Sequence, residues 1–332
     1  MQVALTPLLL CPPSDLTELQ PALRRAASDL EQFYASGKLV PDELLEQIGA
    51  GLWQAAAPKE LLEEALNRAG NQILPVVISS RDAAVQHLPW EALYHPAQGF
   101  LGRGPRCTLS RSLADAADSD TADSRAQGLP PEIGPLRVLL FTALPDDADA
   151  HRSRLDVEEE QARVLEALLP RIAEGRVELE MPDDGRFSTF RELLREFRPH
   201  VLFLSGHSKF YHQPHSGKEP FGIFLFEDEN GQGHAVRGEE LAAALIGTPV
   251  ECVVLSACES GKAASTSLTA GLARGLALQG IPQVIGMRES LLDQAGIELA
   301  RTFCDAVTPG ERVDLGLQQA RRALPPAACL SE

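Results

Sequence analysis

The sequence predicts an α/β protein in which helices cover both faces of a mostly parallel sheet. From residue 136 onward, short continuous apolar runs alternate with amphipathic helical patterns, as is typical of parallel strands joined by crossover helices. The runs are about as long as strands buried on both faces. In two of them, VLFLSGHS and VVLSACESG, a histidine and a cysteine come just past the apolar stretch, at the edge where such sheets hold their chemistry. The expected architecture is therefore a three-layer α/β/α domain.

The elements after residue 136 follow one another in a regular order. Strands are predicted over LRVLLFTAL, VELEMP, HVLFLSG, VECVVLSAC and QVIGMRE. The run FGIFLFED and the turn signal ENGQG come before the helix GEELAAALI. The other helices are predicted over DVEEEQARVLEALLPRI, FSTFRELLREF, SLTAGLARGLALQG and LLDQAGIELARTFCDAV. Because strand–helix–strand crossovers are right-handed, these elements form one sheet with helices on both sides.

The first part of the chain predicts a smaller unit with both kinds of element. Residues 1–10 alternate weakly as an opening strand, a long helical pattern follows, and QILPVVISS is a continuous apolar strand. The later segment LADAADSDTADSRAQGLPPEIGP is rich in Asp, Ala, Ser and Pro and has no apolar period, which indicates a linker. We predict an N-terminal α/β subdomain over 1–112, an acidic linker over 113–135 and a second domain over 136–332.

Composition limits the classes of partner. The 332 residues are 44% hydrophobic and carry a formal net charge of −17, which disfavours nucleic acid and suits a basic peptide or protein. The N-terminus has no positively charged segment before its short apolar run, and no run reaches the roughly 20 residues of a membrane span. We therefore expect a cytoplasmic protein with no membrane contact.

The cysteines and histidines do not predict a metal site. Six cysteines occur without a CxxC motif, and Cys252 and Cys304 lie in apolar runs typical of the core. The cluster His207, His212 and His215, with His200 nearby, is predicted in a polar loop that lacks a matching group of cysteines or carboxylates. No metal or organic cofactor is expected.

A cysteine hydrolase is the chemistry that these two strand ends favour. Cys258 needs help to ionise, because the thiolate is the nucleophile, and His207 can take the thiol proton and later give it to the leaving amine. Small residues such as Ser256 and Gly261 leave room for a substrate carbonyl. The backbone N–H groups of Cys258 and Ser208 are candidates for the oxyanion hole.

In these two blocks the chain resembles the CHAT domain family, caspase-like peptidases related to separase, metacaspases and caspases. In that family one strand ends in His-Gly and carries the base, and another ends in LSAC-x-[ST]-G and carries the nucleophile. The segments GLARGLALQGIPQVIG and HLPWEALYHPAQGFLG add to the similarity, which covers roughly residues 70 to 325. The resemblance implies a caspase-like fold and a dyad of Cys258 and His207.

The chain departs from the family pattern at two places. Ser208 stands where the family usually has glycine, and the family's W-x-V-x-D block falls on Glu289 to Asp293 without its tryptophan. By resemblance to separase, an acid at this place lines the S1 pocket, the pocket for the side chain before the cleaved bond (P1). Asp293, with Glu289 as the second candidate, is therefore expected to select Arg or Lys at P1.

The resemblance also implies a biological setting. Prokaryotic CHAT proteins are often effectors of cell-death or defence systems, including antiviral defence, in which a sensor domain or partner protein activates the protease. We expect a protein substrate and such an activator. The N-terminal portion is either a diverged half-sheet similar to the pseudo-protease unit of some separase-like enzymes or a helical cap.

Two other functions stay open at this stage. One is a catalytically silent CHAT scaffold that binds partners. The other is a different acyl hydrolase or transferase, such as a thioesterase, that uses the same dyad. A thiol-reactive peptide probe distinguishes the scaffold, and a comparison of peptide with thioester substrates distinguishes the thioesterase.

Overall fold

The computed structural model describes most of the chain in two compact units. It covers residues 5–12, 21, 23, 30, 40–56, 60–80, 82–86, 88–113, 134–147, 153–211, 221–257, 267–286, 301–306 and 312–324. The first unit takes Met1–Gly128 together with Arg312–Leu330, and the second takes Leu129–Glu311. Within the described stretches, no helix combines the length and the apolar character that crossing a bilayer requires.

The first unit contains a small parallel sheet. Its described strands are β1 (Leu8–Leu10), β2 (Leu74–Ser79), β3 (Tyr94–His95), β4 (Gly99–Phe100) and β5 (Cys107–Ser112). Strands β1, β2 and β5 pair in that order, in parallel, and β3 and β4 form an antiparallel pair. The described helices of this unit are α1 (Asp42–Ala56), α2 (Leu61–Ala69), the short α3 (Ala83–Gln86) and α8 (Val313–Ala323), with a 3₁₀ turn at Trp90–Ala92. The first unit therefore contains a sheet as well as helices, and the proposed likeness to a pseudo-protease unit stays a prediction.

Helix α2 shows why these helices form against the sheet. Its buried residues are Leu62, Ala65, Leu66 and Ala69, a spacing that puts them on one face, while Glu63 lies in the first turn, where the helix dipole favours an acid. The apolar face packs on β2. The amphipathic sequence pattern of α2 therefore matches the way in which the helix packs on the sheet.

The C-terminal helix belongs to the first unit, which differs from the predicted assignment of 136–332 to a single domain. Helix α8 packs on the edge strand β5. Gln318 Nε2 donates to the carbonyl of Cys107 at 2.7 Å, and Arg321 Nη1 donates to that of Leu109 at 2.9 Å. Both side chains are buried. The helix therefore satisfies backbone groups that an edge strand otherwise leaves unpaired.

The second unit contains the larger sheet, and it confirms the predicted mostly parallel α/β architecture. Among the described residues it has seven strands: β6 (Leu136–Ala143), β7 (Val177–Glu180), β8 (Val201–Tyr211), β9 (Phe221–Glu227), β10 (Gly233–Arg237), β11 (Cys252–Ala257) and β12 (Gln283–Gly286). Strands β7, β6, β8, β11 and β12 are parallel neighbours in that order. Strands β9 and β10 join by antiparallel pairing.

Helices cover both faces of this sheet. They are α4 (Ser153–Ala173), α5 (Phe187–Glu196), α6 (Gly238–Leu245), α7 (Ser267–Leu278) and the helical residues 301–306. On one face Phe190, Leu241 and Leu272 from three of the helices enter a common core with the strands. On the other face the ring of Phe303 lies 6.3 Å from that of Phe203 in β8. The sheet thus forms the middle of three layers.

Candidate active site

Strand β8 changes its neighbour halfway along. Residues Val201–Gly206 pair in parallel with β6 on one side and with β11 on the other. The next residues, from His207 to Tyr211, pair antiparallel with β9. The end of β9 lies beside the end of β6, where the backbone N–H of Leu144 donates to Glu227 Oε1 at 2.9 Å. His207 is the first residue after this change of partner.

The position of His207 differs from the prediction in one respect. The sequence predicted that the strand ends before the histidine and that a polar loop follows. The strand instead continues to Tyr211, because residues 207–211 find pairing partners in β9. His207 therefore lies within a paired strand, and it is buried with 5% of its surface exposed.

Gly206 explains how the strand makes this change. A Cβ atom at this position would lie 2.6 Å from the carbonyl oxygen of Ala143 and 2.8 Å from Cζ of Phe224. Its φ of +156° is one that side-chain-bearing residues rarely adopt. Only glycine allows the backbone to pass here, so the Gly-His pair of the sequence has a structural reason.

The end of β11 lies beside this point. Ser256 pairs with Ser205, and Ala257 pairs with Gly206. Neighbouring strands in a sheet are separated by about 4.8 Å. Strand β11 ends at Ala257, so the next residue of the chain is Cys258. Cys258 lies outside the described residues, as do the predicted S1 residues Glu289 and Asp293.

Ser205 and His207 share one face of the sheet. Leu204 and Phe224 belong to the apolar core on the other face. Because side chains alternate along a strand, Ser205 points away from that core, and so does Leu225, the residue after Phe224. His207 pairs directly with Leu225, and paired residues lie on the same face. The candidate base is therefore on the face of Ser205.

Ser208 is buried, with 5% of its surface exposed, and lies opposite Phe224. Its predicted role in the oxyanion hole, together with the N–H of Cys258, stays a prediction.

The described cysteines are not suited to nucleophilic chemistry. Burial raises the pKa of Cys252 to about 12 and, with a smaller opposing effect of Arg106, that of Cys107 to about 11. Cys304 is buried as well, so the prediction that Cys252 and Cys304 are core residues is confirmed. Burial also raises the pKa of the exposed Cys11. The thiols of Cys11, Cys107 and Cys252 are therefore not poised to ionise near neutral pH.

The histidine cluster considered for a metal is only partly described. His200 lies just before β8, where its Nδ1 accepts a hydrogen bond from the backbone N–H of Arg137 at 3.1 Å. His212 and His215 lie outside the described residues. In the part of the chain that the structure describes, no three His, Cys, Asp or Glu side chains are grouped as metal ligands would be.

Acidic groups lie at the carboxyl end of β6. This is the edge of the sheet at which the parallel part of β8 ends, next to His207. Asp146 and Asp147 are exposed and lie shortly after the end of β6. Asp147 accepts a hydrogen bond from the backbone N–H of Gly233, the first residue of β10 after the turn that joins it to β9. In that turn the backbone N–H of Gln232 is the main cause that lowers the pKa of Asp228, and Glu229 is exposed beside it. This edge therefore carries negative charge near neutral pH.

A row of hydroxyl groups beside the candidate base was not identified from the sequence. Thr142, Ser205 and Ser256 are register partners on β6, β8 and β11. The signal was present, because each follows three apolar residues in LLFT, LFLS and VVLS. It becomes visible only when the three strands are aligned in register.

The fold and the paired strand ends define an α/β protein with a candidate base at the centre of a mostly parallel sheet. The sequence model of the CHAT domain matches residues 46–330, which is most of the chain. The chain belongs to the CHAT domain family, and the family is part of the caspase-like cysteine peptidase clan. No curated protein matches the chain in a sequence comparison.

Proposed function

We propose that the protein is a cytoplasmic cysteine endopeptidase with a dyad of Cys258 and His207. The supporting observation is the register of β8 with β11, in which Gly206 pairs with Ala257. Each of these residues is followed directly by one member of the dyad. Because paired strands are about 4.8 Å apart, this register favours an imidazole and a thiol within proton-transfer distance.

The dyad would act in two steps. His207 takes the proton of Cys258, and the thiolate attacks the substrate carbonyl to give a tetrahedral oxyanion. The backbone N–H groups of Ser208 and Cys258 would donate to that oxyanion. When the C–N bond breaks, His207 gives the proton to the leaving amine, and a thioester on Cys258 is left. Water, activated by His207, then hydrolyses the thioester and restores the thiol.

We propose a protein substrate with Arg or Lys at P1. Asp293, or Glu289 in its place, would form the acidic S1 pocket by analogy with separase. The described acids Asp146, Asp147 and Asp228 support this preference, because they make the edge of the sheet at the end of β6 negative. The net charge of −17 for the whole chain also favours a basic substrate.

The biological setting is proposed on family membership alone. Prokaryotic CHAT proteases are often effectors in defence or cell-death systems, and we propose the same role here. A sensor domain or partner protein would then activate the enzyme, with a second protein as its substrate.

The test is proteomic detection of new N-termini in cells that express the chain. The wild type and Cys258→Ala are compared, with Cys11→Ser as the matched control because Cys11 is an exposed cysteine of the first unit. We expect new N-termini after Arg or Lys with the wild type and Cys11→Ser only. Identical N-termini in all three strains would contradict the peptidase and favour the silent scaffold, and cleavage of thioesters but not peptides would favour the acyl hydrolase.

Asp293→Ala tests the pocket separately. We expect the variant to lose its preference for Arg and Lys while Cys258 stays reactive to a small alkylating agent. Unchanged cleavage after Arg and Lys in Asp293→Ala, and also in Glu289→Ala, would show that the S1 assignment is wrong.

A further inference from the structure

Ser205 places a hydroxyl in the interior of the second unit. The residue is completely buried, and its Oγ has no hydrogen-bond partner among the described residues. The strand positions before it on the same face are Val201 and Phe203, both apolar. Burying a hydroxyl without a partner is unfavourable, so such groups call for an explanation. A serine at this position therefore indicates a partner that is engaged in another state of the protein.

The neighbours of Ser205 in the register row are already hydroxyl residues. Gln161 Nε2 donates a hydrogen bond to Thr142 Oγ1, so the hydroxyl on one side has a partner of its own. Ser256 is the neighbour on the other side. The row thus forms a polar strip across three strands, one position before the change of partner at Gly206.

His207 is the next residue of β8 on the same face as Ser205. A strand rises about 3.3 Å per residue, so two successive residues on one face are roughly 7 Å apart at the backbone. An imidazole and a hydroxymethyl group that lean toward each other can close that distance to a hydrogen bond. Both residues are held in the same paired strand.

The chemistry of the base supplies the missing partner. A neutral imidazole has one N–H donor, whereas the imidazolium has two. When His207 takes the proton of Cys258, that proton lies on the nitrogen that faces the thiolate. The N–H on the other nitrogen then belongs to a charged ring in a buried place. Serine Oγ offers two lone pairs as acceptors. A buried acceptor at this point stabilises the charged ring at the step where the charge forms.

We infer that Ser205 is a positioning residue for His207, and that its Oγ accepts a hydrogen bond from the ring N–H that does not face Cys258 once the imidazole is protonated. This inference rests on the proposed function, because it takes the proton that charges the His207 imidazole to come from Cys258. The contact itself lies within one strand and can be measured without any peptidase activity.

The test uses the full chain with Cys258→Ala, labelled with ¹⁵N at histidine, at a pH where the His207 ring carries both protons. The exchange of its ring N–H protons with water is measured by NMR. With Ser205 present, we expect one ring N–H to exchange slowly. Ser205→Ala should speed this exchange about ten- to hundredfold, in line with a hydrogen bond to a charged donor. Ser205→Thr, which keeps a hydroxyl, should restore slow exchange.

Stability separates this role from a structural one. Because Ser205 Oγ has no partner among the described residues, we expect Ser205→Ala to keep or raise the thermal midpoint. Ser79→Ala, at a buried serine of the sheet in the first unit, is the control for loss of a buried hydroxyl and should leave the His207 exchange unchanged. Equal exchange rates in the parent, Ser205→Ala and Ser205→Thr proteins would overturn the inference.

A second readout uses the chain with Cys258 intact and iodoacetamide as the probe. We expect Ser205→Ala to slow alkylation of Cys258 at least about tenfold and Ser205→Thr to restore it. If Cys258 is unreactive in the wild type, the proposed function fails, while the NMR result still decides the role of Ser205. If Cys258 reacts equally in all three proteins, the role of Ser205 fails and the dyad is kept.

Discussion

Gly206 and Ala257 are cross-strand partners in the parallel pairing of β8 with β11, and each directly precedes one member of the proposed dyad. This relationship joins two sequence blocks that lie about fifty residues apart. It depends on Gly206, because the carbonyl of Ala143 and the ring of Phe224 fill the space that a side chain would need.

Gly206→Ala should therefore damage both the fold and the site. We expect a loss of about 1–3 kcal/mol in the free energy of unfolding, since either the strand or Phe224 must move. Cys258 should also lose its reactivity to alkylation, because His207 follows directly. Gly275→Ala in α7 is the matched control, because a Cβ there meets no atom within 4 Å. That variant should be neutral or more stable by about 0.5–1 kcal/mol. Equal effects of the two variants would contradict the crowding at Gly206.

The LPWEAL block has a structural role that a denaturation experiment can measure. Arg111 Nε donates to Glu91 Oε1 at 2.9 Å, its Nη2 donates to Oε2, and the Glu91 side chain is only 2% exposed. Arg111→Met should cost about 3–5 kcal/mol, because it leaves a buried carboxylate without this partner. The double variant Glu91→Gln with Arg111→Met should recover much of that loss. Both tryptophans, Trp53 and Trp90, lie in the first unit together with Glu91 and Arg111, so tryptophan fluorescence reports the unfolding of that unit.

The outcome that would contradict this role is specific. If Arg111→Met alone changes the midpoint of the fluorescence transition no more than the double variant does, the carboxylate and the guanidinium are not coupled.

Helix α8 should be required for the stability of the first unit. Gln318 Nε2 donates to the carbonyls of Gly104 and Cys107, so Gln318→Ala leaves both without this donor. We expect a loss of about 1–3 kcal/mol, measured by the same fluorescence. Gln319→Ala, at the exposed neighbouring glutamine, should stay within about 0.5 kcal/mol of the parent. Equal losses would show that the buried bonds to β5 are not important.

Asp184 should contribute to stability above acidic pH only. Its hydrogen bond with Arg186 is the main cause that lowers its pKa from 3.8 to about 2. A carboxyl whose pKa falls on folding stabilises the fold above its unfolded value, and this contribution is lost as the pH falls through the folded value. The thermal midpoint of the wild type should therefore exceed that of Asp184→Asn above pH 3.8. The difference should shrink as the pH falls toward 2 and vanish below pH 2.

The size of this difference should be small, because the side chain is 32% exposed and solvent screens the pair. Asp183→Asn, at the exposed neighbouring acid, is the control. A difference between wild type and Asp184→Asn that is the same at pH 2 and pH 6 would contradict this account.

The alternation of strands and helices in the second unit could be predicted because the central parallel strands β6, β8 and β11 contain continuous apolar runs, whereas β7 (VELE) alternates apolar and acidic residues. Strand β10 could not, since four of its five residues are exposed and its pairing with β9 gives no apolar pattern. The membership of α8 in the first unit could not be predicted either. An amphipathic pattern shows that a helix buries one face, but not which sheet receives it.

For the site, the sequence identified His207 and the strand that carries it. It did not show that the strand continues, because the pairing of residues 207–211 with β9 is set by a segment farther along the chain. The row of Thr142, Ser205 and Ser256 was missed for the same reason, since register is a non-local property.

The most direct test of the central claim is the rate at which iodoacetamide alkylates Cys258 across the pH range, in the wild type and in His207→Ala. Peptide mapping by mass spectrometry assigns the adducts, and the buried Cys107 and Cys252 serve as internal controls. We predict a selective adduct on Cys258 near neutral pH and a rate on the order of a hundredfold lower in His207→Ala. Equal rates in the two proteins, or no selective adduct on Cys258, would contradict the dyad.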